Sequence, residues 1–131
     1  MKFPAVLENL ALATEFVEEC ANRSGLDQRK KYALALVLEE AFVNICSYAY
    51  PGSAGDAEIS CGEDGGVFVL EIADSGNPFD VLSLPDPDTK LGIMERKIGG
   101  LGVHLIRKLS DSVSYCRENE RNVLRMKFKL E

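Results

Sequence analysis

The chain is poor in the residues that metal centres and disulfide scaffolds need. One histidine, His104, and four cysteines (Cys20, Cys46, Cys61 and Cys116) are scattered over 131 residues, with no C-x-x-C among them. That spacing argues against a zinc site and makes reduced thiols the expectation. Basic residues are in deficit: 15 Lys and Arg stand against 21 Asp and Glu, a formal charge of −6. A nucleic-acid binder would normally present a basic stripe, so no direct nucleic-acid contact is expected. A phosphorylated ligand is not excluded, because backbone amides and a metal can supply the positive field. No apolar run is read as approaching a membrane span, and the start MKFPAVLENL lacks a basic stretch followed by an apolar core. The expectation is a cytoplasmic protein that does not meet a membrane. Internal repeats and low-complexity tracts are also missing.

What is present reads as one ordinary globular domain over residues 1–131, with 46% hydrophobic and 27% charged residues and enough length for a core without staples. Apolar residues at helical spacing predict a helix over Asn9–Ser24, ended by Ser24-Gly25. Asp27 resembles an N-cap for a second helix to about Tyr48, stopped by Pro51-Gly52. Two strands, Ala57–Gly62 and Val67–Ala73, flank the turn Glu63-Asp64-Gly65-Gly66. Asn77–Gly102 is irregular, rich in Pro, Gly and acid, and in a small domain such a stretch is more often a functional lid than a linker. A short helix over Val103–Leu109 follows. Strands Ser112–Arg117 and Val123–Leu130 close the chain around the polar turn Glu118–Asn122. Strands joined as hairpins imply a largely antiparallel sheet with helices on one face.

Polar residues in apolar company mark the candidate chemistry. In YALALVLEEAFVNICSYAY (Tyr32–Tyr50), a period of 3.6 puts Ala33, Leu36, Val37, Glu40, Asn44 and Ser47 on one stripe and turns Glu39 to solvent. Polar groups on an apolar face are costly unless satisfied, so Glu40 and Asn44 either grip a cation or a water, or form a buried hydrogen bond. Alternation along Val67–Ala73 puts Asp74 in phase with Phe68, Leu70 and Ile72. There it can accept from an amino group such as that of adenine, or simply cap the turn Asp74-Ser75-Gly76. Ile98-Gly99-Gly100-Leu101-Gly102 runs into a helix, an arrangement that suits phosphate but equally serves as hinge and cap.

Taken in order, these segments resemble the Bergerat-fold ATPases of the GHKL superfamily, and more closely the stand-alone serine-kinase anti-sigma regulatory factors. LEEAFVNICSYAYP (38–51) is similar to the family's E-x-x-x-N box, DSGNPFD (74–80) to its D-x-G-x-P-F-D box, and residues 84–115 to its lid, glycine box and following helix. The resemblance implies an α+β two-layer sandwich: a largely antiparallel mixed sheet covered on one face by about three helices, with a flexible ATP lid at about residues 77–102. It implies ATP and Mg²⁺ as cofactors, with Asn44 as metal ligand and Glu40 as the catalytic acid that activates or positions the nucleophile. Asp74 would read the adenine amino group, and Gly76 would let the base approach. Phe79, Gly99, Gly100, Leu101 and Gly102 complete the nucleotide-contacting set.

The resemblance further implies a protein serine kinase that holds a sigma factor or analogous effector and phosphorylates a STAS-domain anti-anti-sigma protein, with homodimerisation open to it. Two alternatives stand beside it: an ATP-binding switch without turnover whose lid controls partner binding, and a catalytic domain detached from a sensor histidine kinase. Tyr48 stands where many relatives carry His, and Asn122-Val123 where the wider superfamily places Thr. His104 reads as a surface or cap residue, Tyr48 and Tyr50 as core packing at the helix end, and Arg96 and Lys97 as lid charges within reach of a terminal phosphate or merely solvated.

Overall fold

The structure, a computed structural model, describes residues 1–78 and 100–130, with side chains from 105 onward in the second segment. Among the described residues, five strands and three helices follow one another as β1 (Lys2–Pro4), α1 (Leu10–Ser24), α2 (Gln28–Asn44), β2 (Asp56–Asp64), β3 (Val67–Asp74), α3 (Gly100–Leu109), β4 (Ser112–Glu118) and β5 (Arg121–Lys129). A 3₁₀ turn, Leu7–Asn9, leads into α1, and a π-helical turn, Ile45–Ala49, prolongs α2. The sheet order is β1-β2-β3-β5-β4 and every neighbouring pair is antiparallel. The expected α+β layering holds, although no parallel pair makes the sheet mixed among the described residues.

Local chemistry accounts for most element ends. Gly25 takes a left-handed φ of 78° after α1, and Leu26 N–H reaches back to Ala21 O at 3.2 Å. The Asp27 carboxylate accepts from Lys30 N–H at 2.9 Å, the side-chain cap expected for α2. β2 and β3 stay paired out to Asp64↔Val67, which leaves only Gly65-Gly66 in the turn, both at positive φ. The last hairpin turns at Asn119-Glu120, also at positive φ, so Asn122 lies inside β5 rather than in the turn.

Pairing register lays the core out in rows. On the inner face Ile59, Ile72 and Leu124 lie side by side, then Cys61, Leu70 and Met126, then Phe68 and Phe128. Val17 and Ala21 of α1, Leu34, Val37, Leu38, Ala41 and Phe42 of α2 and Ile106 of α3 pack onto them. Each fully buried aliphatic or aromatic side chain contributes about 1.5–3 kcal/mol. The outer face carries the ion pairs Glu58–Arg121 at 3.0 Å and Glu71–Arg125 at 2.9 Å, exposed enough to keep that face polar without adding much stability.

Several expectations need correction. The buried stripe of α2 is Leu34, Val37, Leu38, Ala41, Phe42 and Ile45, whereas Leu36 and Ser47 are exposed, so Glu40 and Asn44 sit half-buried at the stripe's border. Gln28–Ala49 is long and apolar enough to meet the length and hydropathy of a membrane span, contrary to the sequence reading; its apolar residues fill this core instead. β1, only three residues long, went unread. The last helix begins at Gly100 rather than Val103, which draws Gly100, Leu101 and Gly102 into its first turn. Most of the expected lid, with Phe79, Arg96, Lys97 and Gly99, lies outside the described residues. Tyr48 is 41% exposed and not core, while Tyr50 packs against it.

Candidate functional site

Three segments converge at the end of the sheet where the apolar rows run out. The row Phe3–Ala57–Asp74–Asn122–Arg117 crosses all five strands there, and its centre is polar. Asp74, the last residue of β3, is 6% exposed, as alternation with Ile72 anticipates. Its Oδ1 accepts from Gly76 N–H at 2.9 Å and from Asn122 Nδ2 at 2.9 Å. The second Nδ2 hydrogen of Asn122 goes to Asn77 O at 2.8 Å, and Tyr115 OH donates to Asn122 Oδ1 at 2.5 Å. Arg117 Nη1 donates to Gly76 O at 2.8 Å. The turn after Asp74 is thus tied to β4 and β5 by side chains.

The opposite wall is the C-terminal end of α2. Asn44 is its last α-helical residue, and the π-helical turn that follows lets the chain swing out without ending the helix. Asn77 N–H donates to Ala49 O at 2.9 Å, so the turn after Asp74 docks on the π turn. Gly76 makes that docking possible: a Cβ there would lie 2.2 Å from Ala49 O. The close approach that this glycine permits in the structure is to backbone of the π turn. Tyr50 secures the same corner, its hydroxyl donating to Asp56 O at 2.6 Å and accepting from Ser75 N–H at 2.9 Å.

Between these walls lies a slot lined by Ala41, Asn44, Ile45, Ala49, Ile72, Asp74, Asn77, Tyr115, Asn122 and Leu124. Apolar side chains share its lining with a few polar ones, the usual build of a small-molecule site. Asn44 Nδ2 is buried here without a hydrogen-bond partner, an expense that a ligand group would relieve. A more open cleft of about 530 Å³ adjoins the slot at Ala49 and Asn77, between Pro51, Ser53 and the Arg117–Arg121 hairpin. Glu40 lies one turn before Asn44, half-buried, and Glu39 beside it is exposed as expected. Burial pushes the Glu40 carboxyl above the usual carboxylate range, and the Glu39 charge adds to the shift.

Of the residues singled out from sequence, Asn44 and Asp74 line the slot; Gly76 lines the adjoining cleft, and Glu40 stands one turn away. No cluster of three or more His, Cys, Asp or Glu among the described residues could hold a metal, so a cation here would draw few ligands from those residues. Two contributors were missed. Tyr50 read as a packing residue and Tyr115 was not singled out, yet both spend their hydroxyls on the walls of the site. Alternation with Val113 was the available signal for Tyr115, since it puts the ring on the inner face.

Comparison with known proteins gives this geometry a lineage. The serine/threonine-protein kinase BtrW of Bordetella bronchiseptica is 28% identical over 113 residues, which cover 86% of this chain and 80% of that relative. Among solved structures, the catalytic domain of the histidine kinase ThkA superposes with a TM-score of 0.60 at 15% identity, covering 99% of this chain and 96% of its own. The Acinetobacter baumannii histidine kinase AdeS gives 0.53 at 15% identity, covering all of this chain and 68% of that one. These two likenesses show a shared fold. The family model described as the histidine kinase-like ATPase domain matches residues 3–128, and the chain belongs to that family.

Proposed function

We propose that the chain is an ATP-dependent protein serine kinase and anti-sigma regulatory factor, acting in the cytoplasm on a STAS-type anti-anti-sigma antagonist. Membership of an ATPase domain family implies ATP binding. The observation that carries the rest is the slot itself, whose lining includes the buried Asp74 and the unsatisfied Asn44 amide. Both hydrogen bonds from the protein fall on Asp74 Oδ1, so Oδ2 is left to accept from an adenine amino group. Ile72, Ala49 and Leu124 would sandwich the base away from water.

The chain also fits a magnesium ion bound together with phosphates. Asn44 offers a hard oxygen ligand once its side-chain amide is turned, and among the described residues no carboxylate cluster competes for the ion. Bound there, the ion would neutralise charge on the transferred phosphoryl group. Glu40, on the same helical line one turn earlier, is half-buried with its carboxyl raised above the usual range, which makes its ionised form a stronger acceptor for the proton of a serine hydroxyl. The likeness to BtrW, a serine/threonine-protein kinase by name, supports serine over histidine as acceptor.

One observation favours a second reading: Glu40 does not line the slot, as a switch module without turnover would allow. Labelled ATP, Mg²⁺ and candidate STAS proteins, followed by mapping of the modified residue, separate the two. Phosphoserine on a STAS partner that disappears with Glu40→Gln, while nucleotide binding persists, is the expected result. Tight nucleotide binding with every partner unmodified would assign the chain to the switch reading, and a phosphohistidine product would assign it to sensor-kinase chemistry.

A further inference from the structure

A second surface lies at the edge of the sheet, between β1 and α1. Spacings of three and four residues put Leu12, Glu15, Phe16 and Glu19 on one side of α1. That side and the start of the chain line a groove of about 550 Å³. Phe3 is buried and Phe16 half-buried there, their rings edge to face with centroids 6.2 Å apart. Met1 and Leu12 line the same groove, yet they are 65% and 55% exposed. Glu15, Glu18 and Glu19 complete its α1 side. Arg23 pairs with Glu19 at 3.2 Å, whereas Glu15 and Glu18 have no ion-pair partner among the described residues. The groove shares no residue with the slot or its adjoining cleft. An isolated chain gains nothing from large apolar side chains held in water, and a polar rim around them marks an interaction site.

We propose that this groove docks an amphipathic helix of another protein, with apolar anchors on one face and Lys or Arg beside them. The inference goes beyond the nucleotide reading and does not depend on it. β1 is only three residues long, too short an edge to template an added strand, so the occupant is a helix. Apolar side chains three and four residues apart on that helix would cover Phe3, Phe16, Met1 and Leu12 together. Charge sets the sign of its flanks. Glu15 and Glu18 attract cations, and the chain's formal charge of −6 steers them in. A second copy docking face to face about a twofold axis would set these acids against themselves. An anionic lipid surface would meet the same repulsion.

The test is fluorescence anisotropy with a labelled synthetic peptide, acetylated and amidated, that carries Leu at helical spacing on one face and Lys on the other. One control peptide has Glu for every Lys, and a second keeps the composition with the Leu spacing scrambled. The full chain should bind the first peptide at least about 10-fold more tightly than either control. Leu12→Asp should weaken that binding about 10-fold or more. Glu15→Gln combined with Glu18→Gln should weaken it about 3- to 10-fold at low salt, and by less as salt rises. All three positions are exposed, and Leu12 lies in the first turn of α1, where an acid is tolerated. Circular dichroism and urea unfolding should therefore match wild type. Leu12→Asp also separates docking from general attraction, because it makes the chain more negative. Binding that is unchanged or tighter in that variant means charge alone draws the peptide, and the proposal fails. Equal affinity for the Lys and Glu peptides overturns it too, as does a wild-type chain that binds neither. A dimer seen in sedimentation that Leu12→Asp breaks would make the second copy the occupant and overturn it as well.

Discussion

Glu40 holds its carboxyl in a place that water only partly reaches, and the consequence can be measured without any partner. Burial first and Glu39 second raise its folded-state value above that of the unfolded chain. Between the two values the folded chain binds more protons, so Glu40's contribution is fully present below the unfolded value and is lost as pH rises through the folded one. Glu40→Gln should therefore be at least as stable as wild type at neutral pH. Wild type should lose ground to the variant as pH climbs above the ordinary carboxylate range, read by urea unfolding across a pH series; parallel curves would mean that Glu40 is not desolvated. A group kept at a stability disadvantage is what a poised base looks like. Strand alternation alone foretold that Asp74 is buried, whereas the helical stripe that held Asn44 was misplaced, and periodicity left the roles of both residues open. The part played by Asn122 was not legible, since its partner Asp74 lies 48 positions away and only the β3–β5 register brings them together.

At the scale of elements, the contact between the turn after Asp74 and the π turn carries the geometry. Gly76→Ala would drive a methyl group into Ala49 O, where the neighbour is backbone and cannot rotate aside. The expected loss is about 1–3 kcal/mol of stability. Weaker nucleotide binding should accompany it, because the Asn77–Ala49 hydrogen bond goes too; unfolding in urea and calorimetry on the same sample check both. A variant as stable as wild type would show that the turn relaxes freely. Helix caps and hairpin turns were readable where short-range chemistry decides them, as at Asp27, Gly25 and Gly65-Gly66. The π turn was not, because it answers to the docking of a distant loop rather than to any local breaker. β1 is three residues, too short for a period to register, and it exists by pairing with β2.

For the molecule as a whole, a ligand that binds only the folded chain adds stability by mass action. Adenosine diphosphate at 100 times its dissociation constant should add about 2.7 kcal/mol, seen as a rise in Tm. Asp74→Asn should abolish most of that rise, because an amide at the base-reading position no longer presents two acceptors. The layered architecture was foreseeable from the order of helices and hairpins; its fully antiparallel pairing among the described residues follows from β5 returning between β3 and β4.

That return path has a kinetic consequence. The Asp74–Asn122 bond joins two ends of a segment that includes α3 and β4, so the polar corner around Asp74 cannot exist until the β3–β5 pairing has closed. Closing such a loop is entropically slow compared with forming α1 and α2 or the β2–β3 hairpin. A newly made chain would thus acquire its helices and first hairpin well before it could recognise a nucleotide. Ligand binding then serves as a timer for completion: it rewards only chains whose last strand is already in register, and ignores every partly folded one.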